Sequence, residues 1–122
     1  MRGLILTAAL LATTAAPALA APLAGDVVRG ERLYGSRCGL CHSLENNRFG
    51  PRHRGVYGRR VAAVPGFHYS KALAAQAFTW NDQTLDAWLA DPKRLVPGTS
   101  MGARTASPRD RADLIAYLRA HP

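Results

Sequence analysis

Cysteine and methionine are scarce in this chain, whose 122 residues include only two of each. Strand-like alternation of apolar and polar residues is missing, which argues against a thioredoxin-like dithiol protein because that fold needs strands between its helices. Acidic residues number 8 against 16 lysines and arginines, giving a formal charge of +8. No basic stripe interleaved with aromatic residues is present, and no helix-turn-helix pattern. A nucleic-acid partner is therefore not expected.

The first twenty residues have the form of a secretory signal peptide. Arg2 precedes an uncharged apolar run that reaches Ala18-Leu19-Ala20, a small-residue cleavage pattern. We expect cleavage after Ala20, so that residues 1–20 are removed, residues 21–122 form one domain, and the loss of Arg2 lowers the charge to +7. The alternative is an uncleaved membrane anchor, because the apolar run is nearly long enough to span a bilayer. Export with cleavage predicts a periplasmic protein without stable membrane insertion.

The two cysteines lie in the sequence Cys38-Gly39-Leu40-Cys41-His42. This spacing is the attachment signature of a c-type haem, in which each thiol adds to one vinyl group and the adjacent imidazole ligates the iron. One disulfide is the ordinary expectation for two cysteines in an exported domain, but the histidine that follows them favours thioethers. A zinc site would need four ligands at close paired spacing. The remaining histidines instead stand singly, at His53, His68 and His121.

Met101 is the candidate for the second iron ligand. The other methionine, Met1, lies in the predicted signal segment, so the mature chain keeps a single thioether. A lone methionine would otherwise be interpreted as a gap-filler in a core. The sequence therefore predicts one covalent haem c whose iron is ligated by His42 and Met101.

Apolar spacing and capping signals predict three helices, over about Val27–Arg37, from Asn81 to near Asp91, and from Ser107 to near Ala120. Asp26 is the expected N-cap of the first helix, and Gly30 within it is expected to permit a close approach by another element. Pro92 ends the second helix. The loops between the helices are long and rich in glycine and proline, which is uncommon unless they serve a function. A buried haem would supply the apolar interior that so short a chain lacks.

Segments in addition to the haem motif resemble the class I cytochromes c. They are Gly25-Asp26-Val27 through Arg37, Gly50-Pro51, Gly55, Gly58-Arg59, Pro65-Gly66-Phe67, Tyr69, Trp80, Asp91-Pro92-Lys93, Pro97 to Met101, and Asp113 to Leu118. The resemblance covers nearly all of the mature chain. It implies an all-α cytochrome c fold, with three main helices, short helical turns and long loops wrapped around one covalent haem.

The resemblance also implies roles for further residues. The carbonyl of Pro51 would accept the second ring N–H of His42 and so fix its tautomer. Gly30 and Tyr34 would pack against the last helix at Leu114 and Tyr117. Buried propionates demand hydrogen-bond donors, and the expected haem contacts are Pro51, Arg59, Tyr69, Ser70, Trp80 and Thr99. The competing interpretation makes Trp80 a core residue and Arg59 a solvated surface residue.

Three departures from the family pattern concern the surroundings of the haem. Trp88 stands where many relatives place a tyrosine that hydrogen-bonds the methionine sulfur. Gly102 to Arg104 lacks the usual bulky aromatic residue after Met101. His53 stands where relatives often carry an apolar residue, and we interpret it as a core or surface histidine.

These features predict a soluble periplasmic carrier that transfers single electrons between redox proteins and is not an enzyme, because protein ligands fill both axial positions of the iron. We expect a monomer whose partners carry acidic docking surfaces, since Arg37, Lys93 and Arg94 match cationic positions around the haem edge of relatives. One alternative is a dedicated haem subunit of a periplasmic dehydrogenase. Another is a peroxide- or gas-binding enzyme or sensor, which a labile Met101 would allow.

Overall fold

Helices and loops make up the fold. A computed structural model describes residues 14–18 and 23–122 of the chain, so most of the predicted signal peptide and its cleavage site lie outside the described residues. The described part contains no strand, only an isolated antiparallel bridge between Arg60 and Thr79. Its helices are α1 (Val27–Arg37), α2 (Lys71–Ala74), α3 (Asp82–Ala90), α4 (Pro92–Leu95) and α5 (Pro108–Arg119). The predicted all-α class is confirmed.

Short polar side chains set the helix boundaries. Asp26 accepts a hydrogen bond from the N–H of Arg29 at 2.9 Å and starts α1 at the predicted residue. Asn81 starts α3 with a reciprocal capping box. Asp91 ends α3 and also caps α4, whose first residue is Pro92. Proline stops one helix because it has no backbone N–H to donate inside a helix. It can start the next helix because the first position needs no such donor.

The two terminal helices pack closely at Gly30. A Cβ atom placed there would overlap the carbonyl group of Asp113 and approach the Cβ of Tyr117 to 2.9 Å. Tyr34, one turn further along α1, is buried against Tyr117 with ring centroids 5.0 Å apart. The predicted close approach of another element to Gly30 is thus confirmed.

A charged cluster joins the same two helices beside this contact. Asp113 is fully buried, accepts from the N–H of Asp26 at 2.7 Å and pairs with Arg29. Asp110 pairs with Arg29 at 2.6 Å and with Arg37 at 3.0 Å. Because α5 supplies both carboxylates and α1 both guanidinium groups, these pairs hold the helices in one register.

The long loops are tied to the helices by backbone hydrogen bonds. The N–H of Gly55 donates to the carbonyl of His121 at 2.9 Å, just after α5. The N–H of Thr105 donates to the carbonyl of Leu89 at 2.7 Å. These contacts leave an apolar cavity between the loops and α3 and α5. No helix in the described ranges is both long enough and apolar enough to cross a membrane.

Candidate functional site

The loops enclose a cavity of about 400 Å³, a volume within the range of cofactor sites. Its lining is mostly apolar and includes Leu73, Leu85, Leu89 and Trp88. Every residue predicted to bind the haem or its iron also lines it. These residues are Cys38, Cys41, His42, Pro51, Arg59, Tyr69, Ser70, Trp80, Thr99 and Met101.

The cysteine–histidine motif forms one tight turn after α1. The N–H groups of Cys41 and His42 both donate to the carbonyl of Cys38, at 3.1 and 2.8 Å. The turn brings both thiols and the imidazole to the cavity, as the five-residue spacing predicts. Burial raises the pKa of the Cys38 thiol to about 11, and the nearby Arg37 opposes this rise.

His42 has a defined tautomer. Its Nδ1 lies 2.9 Å from the carbonyl oxygen of Pro51. Since a carbonyl oxygen can only accept a hydrogen bond, Nδ1 carries the proton and Nε2 of the neutral ring keeps a lone pair. Burial lowers the pKa of His42, although the hydrogen bond to Pro51 opposes this. The ring therefore has the form of a metal ligand.

Met101 approaches the cavity from a loop that is fixed at both ends. Gly98, with φ of 89°, makes the turn before it, and the N–H of Thr99 donates to the carbonyl of Val96 at 3.1 Å. An ion pair of 3.1 Å between Arg104 and Asp91 holds the residues that follow. The half-buried thioether is thereby presented to the same space as the motif.

Some of the side chains that line the cavity can donate hydrogen bonds. Tyr69 accepts from the N–H of Val64 at 3.0 Å, which leaves its own hydroxyl proton for another acceptor. Arg59 donates to the carbonyls of Arg54 and Arg52, at 3.1 and 2.9 Å. Burial lowers the pKa of Arg59, so a nearby anion would offset the unfavourable desolvation of its charge.

Two contacts around His42 were not predicted. A Cβ atom on Gly50 would overlap the imidazole ring of His42, so no other residue fits there without moving that ring. His53 stacks on the same imidazole, with ring centroids 3.9 Å apart and planes 18° apart. Of the two interpretations of His53, core or surface, the structure supports a partly buried residue that lines the cavity. Neither contact has a sequence signal, because periodicity does not report on contacts between loops.

The family model described as Cytochrome c matches residues 27–122. The chain belongs to the cytochrome c family. Cytochrome c of Euglena viridis is 45% identical over 98 residues, which are 78% of this chain and 96% of that protein. Cytochrome c2 of Rhodomicrobium vannielii is 40% identical over 99 residues, or 78% of each chain. The solved structure of cytochrome cH from Methylobacterium extorquens has a TM-score of 0.75 and 39% identity, covering 79% of this chain and 99% of that one.

Members of the cytochrome c family are electron carriers rather than enzymes, and they hold one covalent haem c. The residues of this chain fit that group. Two thiols, a neutral imidazole and a thioether converge on one apolar cavity, together with polar donors suited to carboxylates. The predicted family, cofactor and fold are confirmed.

Proposed function

We propose that the protein is a soluble periplasmic carrier of single electrons whose haem iron is ligated by His42 and Met101. The observation that supports this most is the convergence of Cys38, Cys41, His42 and Met101 on one apolar cavity. When bound, haem supplies an iron that alternates between the ferrous and ferric states. The thiols would attach the group covalently, while the apolar lining would exclude water from it.

The remaining lining residues would orient the group and compensate its charges. The carbonyl of Pro51 holds the proton of His42 at Nδ1, which would leave the lone pair of Nε2 free to bind the iron. Arg59, Tyr69 and Trp80 would donate hydrogen bonds to the propionates, with Ser70 and Thr99 completing the contacts. Hydrogen bonds already hold the side chains of Arg59 and Tyr69, so these two donors would need little reorganisation to bind a propionate.

Basic residues support a docking role toward acidic redox proteins. Lys93 and Arg94 are exposed on α4, close in sequence to the Met101 loop. Arg37 is also exposed, but part of its charge is compensated by Asp110. We propose that the protein acts as a monomer and that these charges accelerate and orient encounters.

Met101→Ala is expected to abolish the sulfur–iron charge-transfer absorption band of the ferric protein, because the thioether is its source. Met101→His should restore a six-coordinate iron but lower the reduction potential, since a thioether favours ferrous iron more than an imidazole does. Visible spectroscopy and redox titration measure both effects. Leu95→Ala is the control, because Leu95 packs against the core but is not part of the cavity lining.

A wild-type ferric protein with a high-spin spectrum would contradict His/Met ligation and favour the peroxide- or gas-binding alternative. Retention of the band in Met101→Ala would exclude Met101 as a ligand. Loss of the band in Leu95→Ala as well would show that general loosening of the fold is enough to remove it.

Denaturing mass spectrometry tests export and covalent attachment together. Protein produced in cells with a haem-attachment system should have the mass of residues 21–122 plus one haem, since the signal peptide is removed and the thioethers survive denaturation. A bare polypeptide with a disulfide would contradict attachment. A haem-bearing chain that keeps residues 1–20 would contradict cleavage but leave the redox role intact.

A further inference from the structure

His53 lies directly against the proposed axial ligand. The imidazole rings of His42 and His53 are 3.9 Å apart between centroids and only 18° from parallel. His53 is partly buried, and burial is the main cause that holds its pKa well below the usual range. The face of one imidazole therefore covers the face of the other.

Three hydrogen bonds fix His53 in this position. Its Nδ1 and the hydroxyl oxygen of Tyr34 are 3.0 Å apart. Its backbone N–H donates to the carbonyl of Ser43 at 2.9 Å, and its carbonyl accepts from the N–H of Val56 at 2.8 Å. Ser43 is the neighbour of His42 in the chain, so the two histidines are held to one another through both backbone and side chain.

Tyr34 is itself anchored in the helix interface. It is buried in α1, it packs on Tyr117 of α5, and its carbonyl accepts from the N–H of Cys38. The contact with His53 is nearly edge-on, with ring centroids 5.6 Å apart. A continuous set of contacts thus runs from the rigid helix pair through Tyr34 and His53 to His42.

The other contacts of His42 do not by themselves fix the plane of its ring. The hydrogen bond from Nδ1 to Pro51 fixes one atom of the ring, and Gly50 closes one approach to it. A single hydrogen bond still permits the ring plane to tilt about that contact. A parallel aromatic face resists such a tilt, because tilting would separate or overlap the two rings.

We propose that His53 is a positioning residue that fixes the plane of the axial imidazole of His42, and that Tyr34 holds His53 in place. This inference rests on the proposed ligation of the iron by His42. The orientation of an axial imidazole plane determines how unpaired spin is distributed over the porphyrin of a low-spin ferric haem. The spread of the haem-methyl proton resonances reports that distribution, and a purely structural role would not alter it.

The test compares variants of the haem-loaded protein by proton NMR of the ferric state. His53→Leu removes the stacked ring and should change the spread of the haem-methyl resonances. Tyr34→Phe keeps the packing on Tyr117 but removes the hydroxyl, and should shift the resonances in the same direction by a smaller amount. His53→Phe keeps an aromatic face and should retain a pattern closer to that of the wild type than His53→Leu does.

Tyr57→Phe is the matched control for Tyr34→Phe. The hydroxyl of Tyr57 donates a hydrogen bond to Asp82 at 3.2 Å, and Tyr57 does not line the cavity. The haem-methyl resonances of Tyr57→Phe should therefore match those of the wild type. Thermal unfolding of each variant, followed by circular dichroism, identifies any variant that is partly unfolded at the NMR temperature. The Tyr34→Phe comparison keeps the test decisive if His53→Leu folds poorly.

A wild-type methyl pattern in folded His53→Leu and Tyr34→Phe would overturn the proposal. Loss of the low-spin state in both His53→Leu and His53→Phe would also overturn it, because phenylalanine keeps the aromatic face but cannot ligate iron, which would make His53 a ligand rather than a positioning residue. Failure of the proposed function is distinguishable from both outcomes: the wild-type protein would then lack a low-spin, His/Met-ligated spectrum before any variant is made.

Discussion

Replacing Gly30 with alanine should lower the free energy of unfolding of the haem-loaded protein by about 3 kcal/mol, at the upper end of the usual penalty for overpacking. The added methyl group would overlap the carbonyl of Asp113 and approach Tyr117. Backbone atoms cannot rotate away as a flexible side chain can, so α1 and α5 would have to separate. Urea unfolding followed by circular dichroism measures the change as a lower midpoint with an unchanged slope.

Gly35→Ala provides the control within the same helix. A Cβ atom at Gly35 would have no heavy atom within 4 Å, and the residue is exposed. Alanine should therefore raise the free energy of unfolding by roughly 0.5–1 kcal/mol, the difference in helix propensity. Equal changes in the free energy of unfolding for Gly30→Ala and Gly35→Ala would show that α1 and α5 do not need a glycine at position 30 to pack together.

Asp113→Asn should lower the free energy of unfolding by about 2 kcal/mol near neutral pH, less than the loss expected for Gly30→Ala. This is the scale of a hydrogen bond to a charged group. Asparagine keeps an oxygen for the N–H of Asp26 but loses the charge that pairs with Arg29 and Arg109. The side chain of Arg29 is 40% exposed, so solvent screening keeps the loss below that of a fully buried pair.

The difference in free energy of unfolding between wild type and Asp113→Asn should depend on pH through the pKa of Asp113. Burial alone would raise the pKa, but the hydrogen bonds from Asp26 and Arg29 and the charge of Arg109 hold it below its ordinary value of 3.8. The carboxylate therefore contributes stability above the unfolded pKa and loses it as the pH falls through the folded pKa. In urea unfolding, the difference between wild type and Asp113→Asn should shrink as the pH is lowered below 3.8 and vanish once the pH lies below the folded pKa of Asp113. The exposed pair of Glu45 and Arg54 supplies the control, because Glu45→Gln should leave stability nearly unchanged.

Local signals in the sequence predict the three longer helices well. Asp26, Asn81 and Ser107 each supply the capping oxygen that their position suggests. The two single-turn helices are harder to predict, because one turn is too short to show apolar periodicity. α4 begins at the proline that ends α3, and the sequence pattern predicts only a turn there.

Contacts between distant segments account for what the sequence does not predict. Asp110 has the position of a capping-box residue, yet its carboxylate binds Arg29 and Arg37 of α1. The haem motif and the candidate lining residues follow from spacing and family resemblance. The stacking of His53 on His42 does not, because it depends on a loop path that brings residue 53 back to residue 43.

The hydrogen bond from Gly55 to the carbonyl of His121 links residues that are distant in the sequence to the segment around His42. Gly55 belongs to the loop that carries Pro51 and His53, so the residues just after α5 anchor the segment around the imidazole of His42. Removing His121 and Pro122 would leave the N–H of Gly55 without this acceptor and loosen the segment around His42.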